Sequence, residues 1–469
     1  MANNEIMKVA QKAVVGTGSG VVGGLAGYGA GWKAKITNCH TLNGKIHGER
    51  LVGGLIGEID YQSTGLNQVV NCSSDCEVEA TGVYAGGLVG YGGAGACRNG
   101  SNEPTDFFSF VNSKTSGSID ISAAPGTSGE SLHMQSFIGG IVGATCLSFG
   151  GNGMKDNTSS MKISVKSRTS VDDRYVSNGA NLYDSLFVGG LAGYFNSGVA
   201  VPSALNISKS SFSGSISVDD SLSMAYIGGI VGGMMQRMNH TQGGNGHAVL
   251  FSGVKAESEG KLIDYKVSAG ARPSAAALVA NVGGICGLCD ELYSMELSDV
   301  KGSINVSGNF AGDSLLVGGI AGKAFVSGAS YFLMQKAFVN GDILVTANAE
   351  QTRVGFLVGS ALLNKNYTVK SVYHYGKNDA SVAKPFGSLL YLGNEFSDDW
   401  MTDVSLTYAV RNAVEESLDE STLSGYKTVA QMQDDEFVNF LKIPFSTEKS
   451  RLILPTYTSS VPAEAYKSN

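Results

Sequence analysis

A glycine pair flanked by β-branched or leucine residues recurs along the whole chain, and this repeat limits the fold more than any other feature. It reads VGGLAGY at Val22, VGGLIG at Val52, AGGLVGY at Ala85, IGGIVG at Ile138 and VGGLAGY at Val188. IGGIVG at Ile227, VGGICG at Val282 and VGGIAG at Val317 follow, then a worn copy, VGFLVG, at Val354. Glycine weakens isolated strands and helices because it loses the most backbone entropy and packs no side chain. A segment kept eight times despite that cost serves a repeated geometric need. Copies spaced roughly 30 to 55 residues apart indicate a solenoid, propeller or array.

A second element precedes the pair: GKIHG at Gly44, GSIDI at Gly117, GSISV at Gly214, GSINV at Gly302 and GDILV at Gly341. Ile46, Ile119, Ile216, Ile304 and Ile343 alternate with polar neighbours, the period of a half-buried strand. The unit is strand, glycine corner, strand, variable loop, glycine-pair strand, loop. The shortest units are small for a propeller blade, and no Trp-Asp or paired-aromatic signature recurs. The predicted fold is therefore all-β, a parallel, right-handed β-helix or solenoid with loop insertions.

In this fold, successive copies stack about 4.8 Å apart. The stacked pairs would be Gly23 and Gly24, Gly53 and Gly54, Gly86 and Gly87, Gly139 and Gly140, Gly189 and Gly190, Gly228 and Gly229, Gly283 and Gly284, and Gly318 and Gly319. They are assigned as structural residues that permit a sharp bend where a Cβ would clash. The third glycine, such as Gly27, is expected to turn the chain with positive φ. Leu25, Leu55, Leu88, Ile141, Leu191, Ile230, Ile285 and Ile320 are expected to form an interior apolar ladder.

Solenoid ends need covering, because a terminal coil exposes its apolar face and open strand edges. Residues 1–20 are assigned to an N-terminal cap, 21–389 to the solenoid, and 390–469 to fading coils and a small helical C-terminal cap. Thr428–Lys442 has helical spacing, with Thr428 as N-cap and Pro444 beyond the stop. Ile6, Val9, Ala10 and Ala13 allow a short helix or a strand.

The G-G-[LI]-x-G unit, preceded by Val or Ile and by a G-S-I-x-V strand, resembles the GLUG repeat of bacterial cell-surface proteins. GYKTVAQMQDDEFVNFLK is similar to the segment that closes many such arrays. The resemblance spans about residues 15–442. It implies a non-catalytic, adhesin-like β-solenoid at the cell surface or outside the cell. It also implies a host or cell-surface protein or glycan as partner, and association with other parts of a larger surface protein or with further copies. GLUG repeats also flank the catalytic domain of some immunoglobulin A metallopeptidases.

Composition agrees with a glycine-rich, side-chain-poor architecture. Glycine supplies 64 residues and charged residues only 16%, against about 25% in ordinary domains. A net charge of −8 argues against a nucleic-acid partner. No run of 18 apolar residues is present, and the first residues lack the layout of a signal peptide. A mature or excised piece of a longer protein is the preferred explanation.

The sequence offers little chemistry. None of the six histidines begins His-Glu-x-x-His, so no zinc-peptidase site is expected. No metal site or cofactor is expected, and no calcium-binding Gly-Gly-x-Gly-x-Asp array occurs. Asp172-Asp173 with Arg174 and Tyr175, Asp219-Asp220, and Asp398-Asp399 with Trp400 are candidate acid pairs. Adjacent carboxylates on a strand point to opposite faces, so they are expected to be solvated loop residues. Cys286 and Cys289 form an isolated C-x-x-C, expected to be two small core residues. Cys39 and Cys72 occupy equivalent places in successive units; disulfide geometry is allowed there, but a buried thiol ladder is preferred. Asn38, Asn71 and Asn112 can stack in a hydrogen-bonded ladder at a turn.

Tyr28, Tyr91 and Tyr194 follow the glycine motif and are expected to cover a corner rather than form an exposed line. The insertions at about 92–136, 144–186 and 233–281 are the favoured binding candidates, because binding residues concentrate on loops held by rigid scaffolds. The Met234–Val249 stretch is the most Met-rich of them. Two other readings remain: a phage tail-spike or receptor-binding β-helix, and a β-helix polysaccharide lyase or hydrolase.

Overall fold

The structure is a computed structural model. It describes residues 20–395, apart from connecting stretches between strands, of which 95–106, 123–134, 167–184, 237–248, 268–278 and 376–385 are the longest. Residues 1–19 and 396–469 also lie outside it, so both predicted caps, including the Thr428–Lys442 helix, fall beyond the described residues.

The described chain is a parallel β-solenoid. Each of the first nine coils passes, in chain order, through four stacked sheets, here called A to D, with one strand in each of A, B and C and either one strand or two short ones in D. In the first coil these are Val21–Gly23, Ala26–Ala30, Lys35–Thr37 and His40–Gly48. Strands from successive coils pair in parallel through each sheet. The worn copy keeps the register, with Val317 on Val354 and Gly318 on Gly355. Sheet B runs one strand further, through Phe386–Tyr391, and ends in an antiparallel partner, Asn394–Glu395.

The interior is a set of apolar ladders. Val52, Ile138, Val188, Ile227, Val282 and Val317 line it from sheet A, and Ile119, Ile163, Ile216, Ile263, Ile304 and Ile343 face them from sheet D. Burying each such side chain is worth about 1.5–3 kcal/mol. The predicted ladder at the sheet A–B corner runs from Leu55 through Leu88, Ile141, Leu191, Ile230 and Ile285 to Ile320, and Leu357 of the worn copy continues it, all fully buried. Its first rung differs: Leu25 is 52% exposed, because no described coil covers the first one.

Corners keep the backbone paired. The Leu25 and Ala26 N–H groups both donate to the Leu55 carbonyl of the next coil, at 2.8 and 3.2 Å. The same bifurcated bond recurs at Leu88, Ile141, Leu191, Ile230, Ile285, Ile320 and Leu357. These corner groups therefore find partners without help from side chains, as buried backbone requires.

The C-to-D corner uses a left-handed residue in each coil from the first to the seventh. Asn38, Asn71, Asn112, Asp156, Lys209, Gly253 and Leu297 take φ between 48° and 66°. Asn and Asp tolerate this region, whereas Leu does so at a cost of about 1–2 kcal/mol. One step of the predicted Asn ladder is present, with Asn112 Nδ2 donating to Asn71 Oδ1 at 2.8 Å.

Candidate functional site

The three glycines of each motif have separate tasks. The first faces outward, where sheets A and B fold back on one another. A Cβ at Gly86 would overlap the Val89 carbonyl oxygen and lie 2.9 Å from the Gly143 nitrogen in the next coil's B strand. The second faces inward, towards sheet D. A Cβ at Gly284 would meet the Gly319 carbonyl and the Val300 side chain at 2.7 Å. The third faces the preceding coil's A strand: a Cβ at Gly90 would lie 2.8 Å from the Val52 nitrogen. Contacts this close to backbone admit only glycine.

The expected positive φ at the third glycine is not found. Among the described glycines only Gly117, Gly153, Gly253, Gly302 and Gly308 have it. The third glycine is needed for close approach between strands, not for a left-handed turn.

This packing makes the A–B corner concave. The outer faces of the two sheets meet and form a groove along the solenoid. Residues two positions before the glycine pair line its A side, and Tyr84, Phe137, Phe187 and Tyr226 stack there in consecutive coils. Their centroid separations are 5.0, 5.0 and 4.6 Å, with interplanar angles near 20°. From the B side, Tyr91 meets Tyr84 at 5.2 Å, and Tyr194 meets Phe137 and Phe187 at 5.1 and 5.0 Å. Leu51, Ala144 and Leu288 complete this second apolar cluster, separate from the interior core. Tyr91 and Tyr194 thus cover a corner, as expected, while Tyr28 in the first described coil is half exposed. The A-side aromatics escaped notice in the sequence, although Y-A-G-G, F-I-G-G, F-V-G-G and Y-I-G-G place them in one column.

Insertions are confined to two of the four corners. The A-to-B corner is two residues in every coil, as in Gly24–Leu25, and so is the C-to-D corner, as in Asn38–Cys39. The long connections lie elsewhere: 95–106 and 237–248 leave the B strands, and 123–134, 167–184 and 268–278 enter the A strands. Strand A runs into the apex of the groove and strand B runs out of it. The start of A and the end of B are therefore the two lips of one groove, and between the first and ninth coils every long insertion is anchored on a lip; 376–385 instead links a sheet D strand to the sheet B strand Phe386–Tyr391.

The residues flagged for chemistry are not brought together. Asp172, Asp173, Arg174, Tyr175, Asp398, Asp399 and Trp400 lie outside the described residues. Asp219 pairs with Lys266 on the outer face of sheet D at 3.9 Å. Met234 is a core residue, 2% exposed, which removes it from the proposed Met-rich binding loop; residues 237–248 of that loop are outside the described set. Among the described residues, no group of three His, Cys, Asp or Glu is placed to hold a metal ion.

Cys286 and Cys289 are both core residues, as expected, but they are joined in a disulfide, which the sequence reading did not anticipate. Both reach the interior because sheet B strands carry an irregularity after the third glycine: pairing skips from Val231↔Cys286 to Gly233↔Leu288 and Met234↔Cys289. Cys39, Cys72 and Cys76 are free thiols.

His374 is the last described rung of the sheet D ladder that faces the second glycine. In the ninth coil that glycine is replaced by Phe356, whose ring stacks on His374 at 5.5 Å and 11°. His374 Nε2 lies 3.0 Å from the Gly341 carbonyl, so Nε2 carries the proton, and buried Nδ1 has no hydrogen-bond partner. Burial pushes the imidazole down to about 4, against the raising effects of the Gly341 carbonyl and Asp342. The Asp299 carboxyl moves the other way. Burial pushes it up to about 7, although Lys255 at 3.9 Å opposes the change.

Comparison with known proteins finds no family model, no curated protein and no solved structure that matches the chain.

Proposed function

We propose that this chain is a non-catalytic, adhesin-like β-solenoid of the GLUG-repeat type that presents binding loops outside the cell to a protein or glycan of a host, matrix or cell surface. The observation that carries this reading is the confinement of the long insertions between the first and ninth coils to the two lips of one groove. Two corners are held at two residues while the others vary from one residue to a long insertion. A scaffold that varies only beside one face concentrates recognition on that face. The Cys286–Cys289 disulfide supports an oxidising, extracytoplasmic setting.

The test is binding of the full chain to a glycan array and to immobilised extracellular-matrix proteins. It is repeated on variants in which 167–184, 268–278 or 237–248 is replaced by a short Gly-Ser linker. The expected result is selective binding lost with one or more lip insertions while the far-ultraviolet circular dichroism stays unchanged. Binding that survives all three replacements would refute the reading. So would depolymerisation of a polysaccharide by the purified chain, which would instead favour the lyase or hydrolase reading.

A further inference from the structure

The second residue of each C-to-D corner forms an inward ladder in the first eight coils: Cys39, Cys72, Ser113, Asn157, Ser210, Val254, Ser298 and Ala337. Its serines and cysteines share one hydrogen bond, from the side chain to the carbonyl two residues earlier, whereas Asn157 Nδ2 donates to the Phe110 carbonyl of the preceding coil at 2.8 Å. Ser113 Oγ donates to the Val111 carbonyl at 3.2 Å, Ser210 Oγ to Ser208 at 2.9 Å and Ser298 Oγ to Glu296 at 3.3 Å. The Cys39 thiol does the same to Thr37 and the Cys72 thiol to Val70, each at 3.4 Å. Serine fills this role in three coils, so the structural task does not demand cysteine. The two cysteines are nevertheless consecutive rungs.

Their placement brings the sulfurs together. Thr37 pairs with Val70 and His40 with Ser73, so Cys39 lies directly below Cys72. The Ser73 N–H donates to the Cys39 carbonyl at 2.9 Å, which locks this register. Stacked Cα atoms are about 4.8 Å apart, within the roughly 4.4–6.8 Å that a disulfide spans. Cys72 also leans towards the first coil, its thiol 3.6 Å from the Ile36 carbonyl. Cys76 is engaged elsewhere, on Thr41 Oγ1 at 3.5 Å and the Gly54 carbonyl at 3.9 Å.

We propose that Cys39 and Cys72 are a redox-modification site, which a small-molecule disulfide such as oxidised glutathione converts into an inter-coil disulfide that staples the first coil to the second. Cys39, the more exposed thiol, reacts first. Its thiolate attacks one sulfur of the oxidant, forms a mixed disulfide and expels one glutathione thiolate. The Cys72 thiolate then attacks the Cys39 sulfur and expels the second glutathione. Two protein thiols are oxidised to one disulfide, one glutathione disulfide is reduced to two thiols, and the two thiol protons pass to the departing thiolates. Burial holds the Cys72 thiol up at about 11, so the second step is slow at neutral pH and faster in alkali. The staple would secure the coil whose apolar rungs Leu25 and Tyr28 are half exposed.

The full chain is incubated with oxidised glutathione, alkylated and digested with a protease that cuts before aspartate, which separates Cys72 from Cys76 at Asp75. The expected product is the Cys39 peptide linked to the Cys72 peptide, forming faster as pH rises. The oxidised protein should also melt at higher temperature than the reduced one. Cys39→Ser and Cys72→Ser keep the corner hydrogen bond, so both should fold and lose the oxidation-dependent shift. Recovery of Cys39 and Cys72 as alkylated thiols, a Cys72–Cys76 link, or an undiminished shift in Cys39→Ser would overturn the proposal.

Discussion

At the scale of single residues, the motif glycines are defined by what surrounds them and not by their own φ. Gly189 shows this well. A Cβ there would overlap the Ala192 carbonyl and stand 2.6 Å from the Gly232 nitrogen. Both obstacles are backbone atoms, each held in a sheet, so neither can swing aside. Gly189→Ala is therefore expected to destabilise the protein by roughly 3 kcal/mol or more, as overpacking a rigid site does. Gly260 is the matched control, because a Cβ there meets nothing within 4 Å and its φ is not positive. Gly260→Ala should change stability by less than about 0.5 kcal/mol. Urea unfolding midpoints compare the two; equal midpoints would show that the motif glycines are not sterically required. Spacing and composition made the glycine pair legible in sequence, but the reason for the third glycine was not. A pattern of Gly-x-x-x-Gly fits a left-handed turn and a close approach equally well, and only the Val52 backbone beside Gly90 separates them.

At the scale of the element, the groove is a second, smaller core laid along the outside of the first. Phe187 is its central member, 3% exposed, stacked between Phe137 and Tyr226 and met edge-on by Tyr194. Phe187→Ala removes one large buried ring and its aromatic contacts, a change of roughly 3–5 kcal/mol. Tyr28→Ala, in the first described coil of the B-side row, should cost less than about 1 kcal/mol, because that ring is already half in water. Thermal melts of the two variants test whether the row is continuous; similar small losses would mean that the groove contributes little to stability. The interior strands were legible because alternation along GSIDI or GSINV survives any sheet curvature. The sign of the curvature was not, since glycines permit a corner to close inward or outward. The C-to-D corner was only partly legible: Asn38, Asn71 and Asn112 announce it, but Asp156, Lys209 and Leu297 take the same φ under three different side chains.

For the whole molecule, stacking makes each coil depend mainly on its two neighbours, so stability is nearly a sum of local terms and the ends are its weak points. The ninth coil, the last described with strands in all four sheets, carries a pH-sensitive one. His374 is buried and neutral, with Nε2 satisfied by the Gly341 carbonyl and Nδ1 facing no acceptor. Its pKa is about 4 in the fold and 6.5 in the unfolded chain, so the unfolded state binds the proton more tightly. The neutral form's contribution is complete above pH 6.5 and is lost as pH falls towards 4, by up to roughly 3 kcal/mol. Asp299 works in the opposite direction. With a folded value near 7 it favours the fold at low pH, and that contribution fades as pH rises through 7. A pH profile of the wild type alone would mix these two terms. His374→Phe keeps a ring against Phe356 and retains Asp299, so the difference between variant and wild type isolates the histidine. That difference should shift in favour of the variant by about 2–3 kcal/mol between pH 7 and pH 4. Hydrogen exchange at pH 4.5 should locate the wild-type loss in the ninth coil, with Val354–Leu363 exchanging before Val188 and Ile227. A parallel pH dependence in both proteins, or uniform exchange along the solenoid, would show that His374 does not set the acid limit of this end.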